Sequence, residues 1–212
     1  MKHLKSFSES NLVNVDPDMD KIDRTKELSE EEFLEILNTK CKNFSFMNDL
    51  LWRGKPKKYD LELFEPGYRN TKGMTFVNFF NKIENDPDYP VVRKKSLIGG
   101  THKENVERIT EFKTYMVIPF DNSEIVFCPI IDLMGIQDDP KSGKLKDGSP
   151  VTKDVFVKVP YTKNFQVPKT EIEIIRSKYK LRGSRETGYE FFTSSPCLLV
   201  YDDKINWLRN NI

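Results

Sequence analysis

Three short apolar runs, each carrying polar residues and separated by long charged stretches, constrain this chain most strongly. They are Leu50-Leu51-Trp52-Arg53-Gly54, Tyr89-Pro90-Val91-Val92-Arg93-Lys94-Lys95-Ser96-Leu97-Ile98-Gly99-Gly100-Thr101, and Gly188-Tyr189-Glu190-Phe191-Phe192. Each contains an apolar run of strand length, and none approaches the roughly 20 residues that span a bilayer. Strands scattered along a chain bury their apolar faces by assembling into a sheet. With 212 residues, 37% of them hydrophobic, the chain can form one sizeable core. Its 15 Phe, 8 Tyr and 2 Trp supply bulk for that core.

Helical signals stand between the strand signals. Ser29-Glu30-Glu31-Glu32 has the form of a capping box, and Phe33, Ile36 and Leu37 follow at helical spacing. This predicts a helix over 30–41. Phe76, Phe79, Phe80 and Ile83 predict a second amphipathic helix. Residues 102–109 read as a short helix, and Ile172, Ile175 and Tyr179 predict another over 169–180. Strands are expected at 49–53, 95–99, 114–119, 189–193 and 197–201. The turn Asp121-Asn122-Ser123 should join Thr114–Pro119 to Ile125–Cys128 as a hairpin. Residues 1–27 read as an N-terminal arm, 28–212 as one domain, 137–150 as a surface loop, and the end of the chain as a short polar tail. The class is α+β, with mostly antiparallel strands.

Charge and composition exclude several function classes. The 34 Lys+Arg and 33 Asp+Glu leave a net charge of +1, without the basic excess of a dedicated duplex-DNA binder. Cys41, Cys128 and Cys197 are far apart and form no CxxC pair. With only His3 and His102 beside them they make no zinc set, so no metal is expected and a reducing cytoplasm is the natural compartment. The N-terminus has no continuous apolar core of a secretion signal. No GxGxxG follows a strand, no P-loop is present, and no GxSxG elbow appears.

The order Arg53, then Ser96 or Thr101, then Glu190 resembles the Arg–Ser–Glu pattern of the ADP-ribosyltransferase family. The likeness is to the divergent members of large phages and other viruses, and it covers roughly residues 28–201. It implies split β-sheets flanked by helices, NAD as co-substrate, no metal, and a host macromolecule, protein or nucleic acid, as acceptor in the host cytoplasm. Arg53 beside Gly54 would hold the NAD phosphate or the nicotinamide ribose. Pro90, Arg93 and Ser96 resemble the second motif of viral members, which adds Arg93 to the cofactor-binding set. The fuller Ser-Thr-Ser pattern is absent, so Ser96 and Thr101 are alternative bearers of the hydroxyl. Glu190 would stabilise the ribosyl cation. Arginine-modifying members carry Glu or Gln two residues earlier; here that residue is Gly188, so the resemblance does not extend to arginine as acceptor.

The chemistry accounts for those residue types. Nicotinamide leaves as a neutral molecule from an already cationic bond, so little acid catalysis is needed. A fixed carboxylate can stabilise the cation growing on the ribose. Arginine can clamp phosphate with bidentate, charge-assisted hydrogen bonds. The rival class is a catalytically inactive nucleic-acid-binding or virion interaction module. Lys55, Lys57 and Lys58, with Arg93, Lys94 and Lys95, would neutralise phosphates, while Trp52, Tyr59 and Phe64 stack on bases.

Overall fold

The computed structural model describes residues 25–67, 96–129, 153–180 and 188–212. Its centre is one sheet, built from β1 (Thr25–Glu27), β2 (Leu51–Gly54), β3 (Leu61–Phe64), β4 (Leu97–Gly100), β5 (Thr114–Pro119), β6 (Glu124–Phe127), β7 (Val157–Pro160), β8 (Glu190–Thr193) and β9 (Cys197–Tyr201). The spatial order is β1-β3-β9-β5-β2-β4-β8-β6-β7. Every neighbouring pair is antiparallel. The helices are α1 (Glu30–Lys40), α2 (Lys103–Thr110), α3 (Lys169–Lys178) and α4 (Ile205–Arg209). The α+β class read from the sequence is therefore observed.

The nine strands form one continuous sheet that narrows between β2 and β4, and this narrow point marks off two halves. Strands β1, β3, β9, β5 and β2 form one, and β4, β8, β6 and β7 form the other. Between β2 and β4 only Trp52 and Gly100 are in register, whereas β2 and β5 share four pairs and β5 and β9 share five. Gly99 explains the narrow junction. A Cβ there would stand 2.2 Å from the Trp52 carbonyl oxygen and 2.5 Å from the Phe191 ring. Only a residue without a side chain lets β4 lie this close to β2.

Alternation along the strands sends successive side chains to opposite sides. One side carries the larger core cluster, including Leu51, Phe64, Leu97, Tyr115, Phe127 and Phe191. The other carries Met116, Ile118, Leu198 and Val200, covered by Phe33 and Leu37 of α1 and Leu208 of α4. Each fully buried Leu or Phe contributes about 1.5–3 kcal/mol relative to exposure, so these two clusters hold the sheet between its helices.

Local signals are realised where they are self-contained. The Ser29 hydroxyl accepts the Glu32 N–H at 3.2 Å, and the Ser29 N–H donates to the Glu32 carboxylate at 2.9 Å. Helix α1 then buries Phe33 and Leu37. Strand β5 is buried along its whole length. In α3 the buried positions are Ile172 and Arg176, while Ile174 is exposed.

Other expectations are corrected. The hairpin over 114–128 does not form: β5 pairs with β2 and β9, whereas β6 pairs with β7 and β8. The turn is committed elsewhere. The Asp121 carboxylate accepts the Lys42 and Asn43 N–H groups, and the Asn122 N–H donates to the Tyr161 carbonyl. Those bonds turn the chain from one half-sheet to the other. The expected tail contains α4, with Leu208 fully buried and Trp207 edge-on to Phe33 at 6.1 Å. Strand β1 lies within the segment read as an arm, and β3 and β7 were not anticipated. The helix expected around Phe76–Ile83 and the loop at 137–150 lie outside the described residues.

Candidate functional site

The three strands that carry the sequence motifs are consecutive in the sheet, in the order β2, β4, β8. Trp52, Gly100 and Glu190 form one row across them. Arg53 is one residue along, in register with Tyr115, and its guanidinium carbon lies 5.6 Å from the centre of the Phe64 ring. Arg53 is therefore on the side of the larger core cluster. Glu190 alternates with Tyr189 and Phe191 of that cluster and takes the opposite side. The fold makes these two residues near neighbours by strand but does not bring them to one face.

The hydroxyl candidates separate clearly. Ser96 is buried, with its Oγ 3.0 Å from that of Ser194, at the end of β4 remote from Glu190. Four steps of extended chain, about 13 Å, separate it from Gly100, the residue paired with Glu190. Thr101 is at the near end. Its Oγ1 accepts the Tyr189 N–H at 2.9 Å, and its own N–H donates to the Tyr189 carbonyl at 3.0 Å. The Glu190 carbonyl accepts the Cys128 N–H at 2.8 Å. Arg93 lies outside the described residues, as do Lys94, Lys95 and Pro90.

The glycines are filled by the protein itself. A Cβ at Gly54 would meet the Thr110 hydroxyl at 2.0 Å, and one at Gly100 would meet Val106 at 2.6 Å. Both serve the seating of α2 on the sheet, and they form no open cradle for a phosphate. Gly188 has φ +75°, and a Cβ on it would stand 2.4 Å from His102 Nδ1 and 2.8 Å from Thr101 Oγ1. A larger residue two places before Glu190 is thus opposed by both backbone conformation and space.

A charged cluster that the sequence reading missed lies on the Arg53 side. Glu62, fully buried on β3, pairs with Lys55 and accepts the Tyr59 N–H at 3.1 Å. The Tyr115 hydroxyl donates to the Tyr59 carbonyl at 2.8 Å and accepts the Lys58 N–H at 3.0 Å. Burial pushes the Lys55 ammonium below its ordinary value, and the Glu62 hydrogen bond opposes that shift. Burial likewise pushes the Tyr115 phenol up. A glutamate alternating with leucines, as in Leu61-Glu62-Leu63, reads as a solvent-facing strand position. No local signal tells that Lys55 returns to cover it.

The same contacts show where the described lysines and rings of the nucleic-acid expectation stand. Lys55 is held by Glu62 and lies 4.7 Å from the centre of the Tyr115 ring. Lys57 pairs with Asp60 at 2.7 Å and lies over Tyr201. Lys58 lies over Tyr59, and Lys103 over Trp52 while pairing with Asp202. The expected stacking rings are engaged with the protein's own cations, and Phe64 is buried.

An open cleft of about 510 Å³ borders Trp52, between Lys103 of α2 and Ile205, Asn206 and Arg209 of α4. Among the described residues, no group of three or more His, Cys, Asp or Glu is placed to hold a metal ion. No described helix is long and apolar enough to cross a membrane. The chain matches no protein-family model, and comparison with curated proteins and with solved structures gives no match.

Proposed function

We propose that this chain is an ADP-ribosyltransferase-like domain that takes NAD as co-substrate at the junction between the two half-sheets and modifies a host protein or nucleic acid. The observation that carries the reading is the adjacency of β2, β4 and β8 around a junction held by a single residue pair. Arg53 and Glu190 sit on β2 and β8, and Thr101 directly follows β4, in the order of the sequence motifs. On this reading Arg53 engages phosphate or the nicotinamide ribose, Thr101 orients the glutamate strand, and Glu190 stabilises positive charge on the ribose. Gly54, Gly99 and Gly100 act in packing. Gly188, in place of the Glu or Gln of arginine-modifying members, points away from arginine as acceptor.

The test is nicotinamide release from NAD by the purified chain, with cell lysate as acceptor source and Glu190→Gln alongside. The expected result is release by the wild type, a fall of about 100-fold or more in Glu190→Gln, and retained NAD binding. Absence of release by folded wild-type protein with lysate present refutes the reading.

A second reading, a catalytically silent interaction module, is favoured by one observation: Arg53 and Glu190 lie on opposite sides of the sheet. That arrangement does not serve a ligand both residues must touch. The same assay separates the two readings.

A further inference from the structure

The residue before Glu190 is fixed more completely than the core requires. The Tyr189 backbone is bonded to Thr101 through both its N–H and its carbonyl. Its side chain is almost wholly buried, and its hydroxyl donates to Glu173 Oε1 at 2.9 Å. Arg176, itself buried, donates to the same oxygen at 3.0 Å. The Thr101 contacts come from the end of β4 and the Glu173 contact from α3. The Cys128 N–H, just past β6, holds the Glu190 carbonyl. Three separate elements therefore set the position of one short piece of backbone, and Gly188 supplies the left-handed turn that leads into it.

Core packing alone does not account for this arrangement. A phenylalanine at 189 would fill the same volume without a buried hydroxyl to satisfy. Burial and the Glu173 carboxylate together push the Tyr189 phenol up to about 12, so it remains a hydrogen-bond donor throughout the neutral range. We infer that Tyr189 and Glu173 are positioning residues, a clamp that fixes where β8 presents Glu190. In this role the inference rests on the NAD reading above. The clamp acts through backbone placement, because Tyr189 points to the larger core while Glu190 points to the other side. A displacement of about 1 Å in a catalytic group can lower turnover about 100-fold.

The experiment uses the full chain and three variants, Tyr189→Phe, Glu173→Gln and Glu173→Ala, with two readouts. Amide hydrogen exchange over residues 188–191 reports the clamp whether or not the protein turns over NAD. Tyr189→Phe and Glu173→Ala should each speed exchange there about tenfold or more, while Glu173→Gln, which keeps an acceptor for the phenol, stays closer to wild type. Nicotinamide release then reports its consequence: kcat falls about tenfold or more in Tyr189→Phe, with KM for NAD within about twofold and substantial recovery in Glu173→Gln relative to Glu173→Ala. Unchanged exchange in Tyr189→Phe overturns the clamp. Faster exchange with unchanged kcat overturns its positioning role. An inactive wild type refutes the NAD reading, and with it the catalytic purpose of the clamp, while exchange still decides whether the clamp exists.

Discussion

Gly188→Ala concentrates the local argument into one methyl group. The residue has φ +75°, where an L side chain costs about 1–2 kcal/mol. The new Cβ would also stand 2.4 Å from His102 Nδ1 and 2.8 Å from Thr101 Oγ1. Both atoms must shift, and Thr101 Oγ1 is the acceptor of the Tyr189 N–H. Leaving that buried donor unsatisfied costs about 1–3 kcal/mol. The expected destabilisation is about 3 kcal/mol. In urea unfolding followed by circular dichroism, with a slope of about 3 kcal/mol/M at this chain length, the midpoint should fall by about 1 M at unchanged slope. Adding His102→Ala removes the closest contact but leaves the strained φ and the Thr101 contact, so only a minor part of the loss should return. A Gly188→Ala protein within about 0.5 kcal/mol of wild type would refute the reasoning, because neither the backbone conformation nor the contact could then be as described.

Three further outcomes follow from the same geometry. Glu62→Gln leaves the half-buried Lys55 ammonium without its carboxylate and should destabilise by about 3 kcal/mol in urea; Lys55→Met on top should restore most of that, and an equally unstable double variant would discount the pair. Gly54→Ala should destabilise by about 2 kcal/mol, because its Cβ would displace Thr110 and so α2; unchanged stability with lost NAD binding would instead make Gly54 a ligand-approach residue. Alkaline pH should unfold the protein: burial raises the Cys41 thiol from 9.0 to about 12 and the Tyr189 phenol from 10.0 to about 12, while Cys197, Tyr115 and Tyr161 are also raised. Above pH 9 the unfolded chain then holds fewer protons than the folded one, so these groups' contribution, fully present below pH 9, is lost as pH rises toward 12. Cys41→Ala should flatten the thermal-midpoint profile between pH 9 and 12, and an unaltered profile would remove Cys41 from the account.

Much of the architecture was legible where a few neighbouring residues decide it. The capping box of α1, the buried run of β5 and the strand character around Arg53, Gly99 and Glu190 all belong to that group. Of the candidate site, only residue types and their order along the chain were legible: Arg53 stands on β2, Thr101 one residue past β4 and Glu190 on β8. Its geometry was not. That Thr101 rather than Ser96 is the hydroxyl beside Glu190 depends on which end of β4 lies opposite Glu190, a matter of register. The clamp through Glu173 joins residues on α3 and β8 whose meeting no spacing rule announces.

What the sequence determined by itself is therefore local: helix starts, apolar runs of strand length, and glycines where the chain must pass close to something. Those features depend on hydrogen bonds and periodicities within a few residues, and they survive any global arrangement. Only the tertiary structure decided which strands pair, that β5 and β6 part company after Asp121, and that Arg53 and Glu190 look to opposite sides. A shift of one residue in register exchanges the two faces of a strand. That register is set by the whole core at once, by Gly99 yielding to Trp52, Glu62 closing on Lys55, and Asp121 holding the loop after α1.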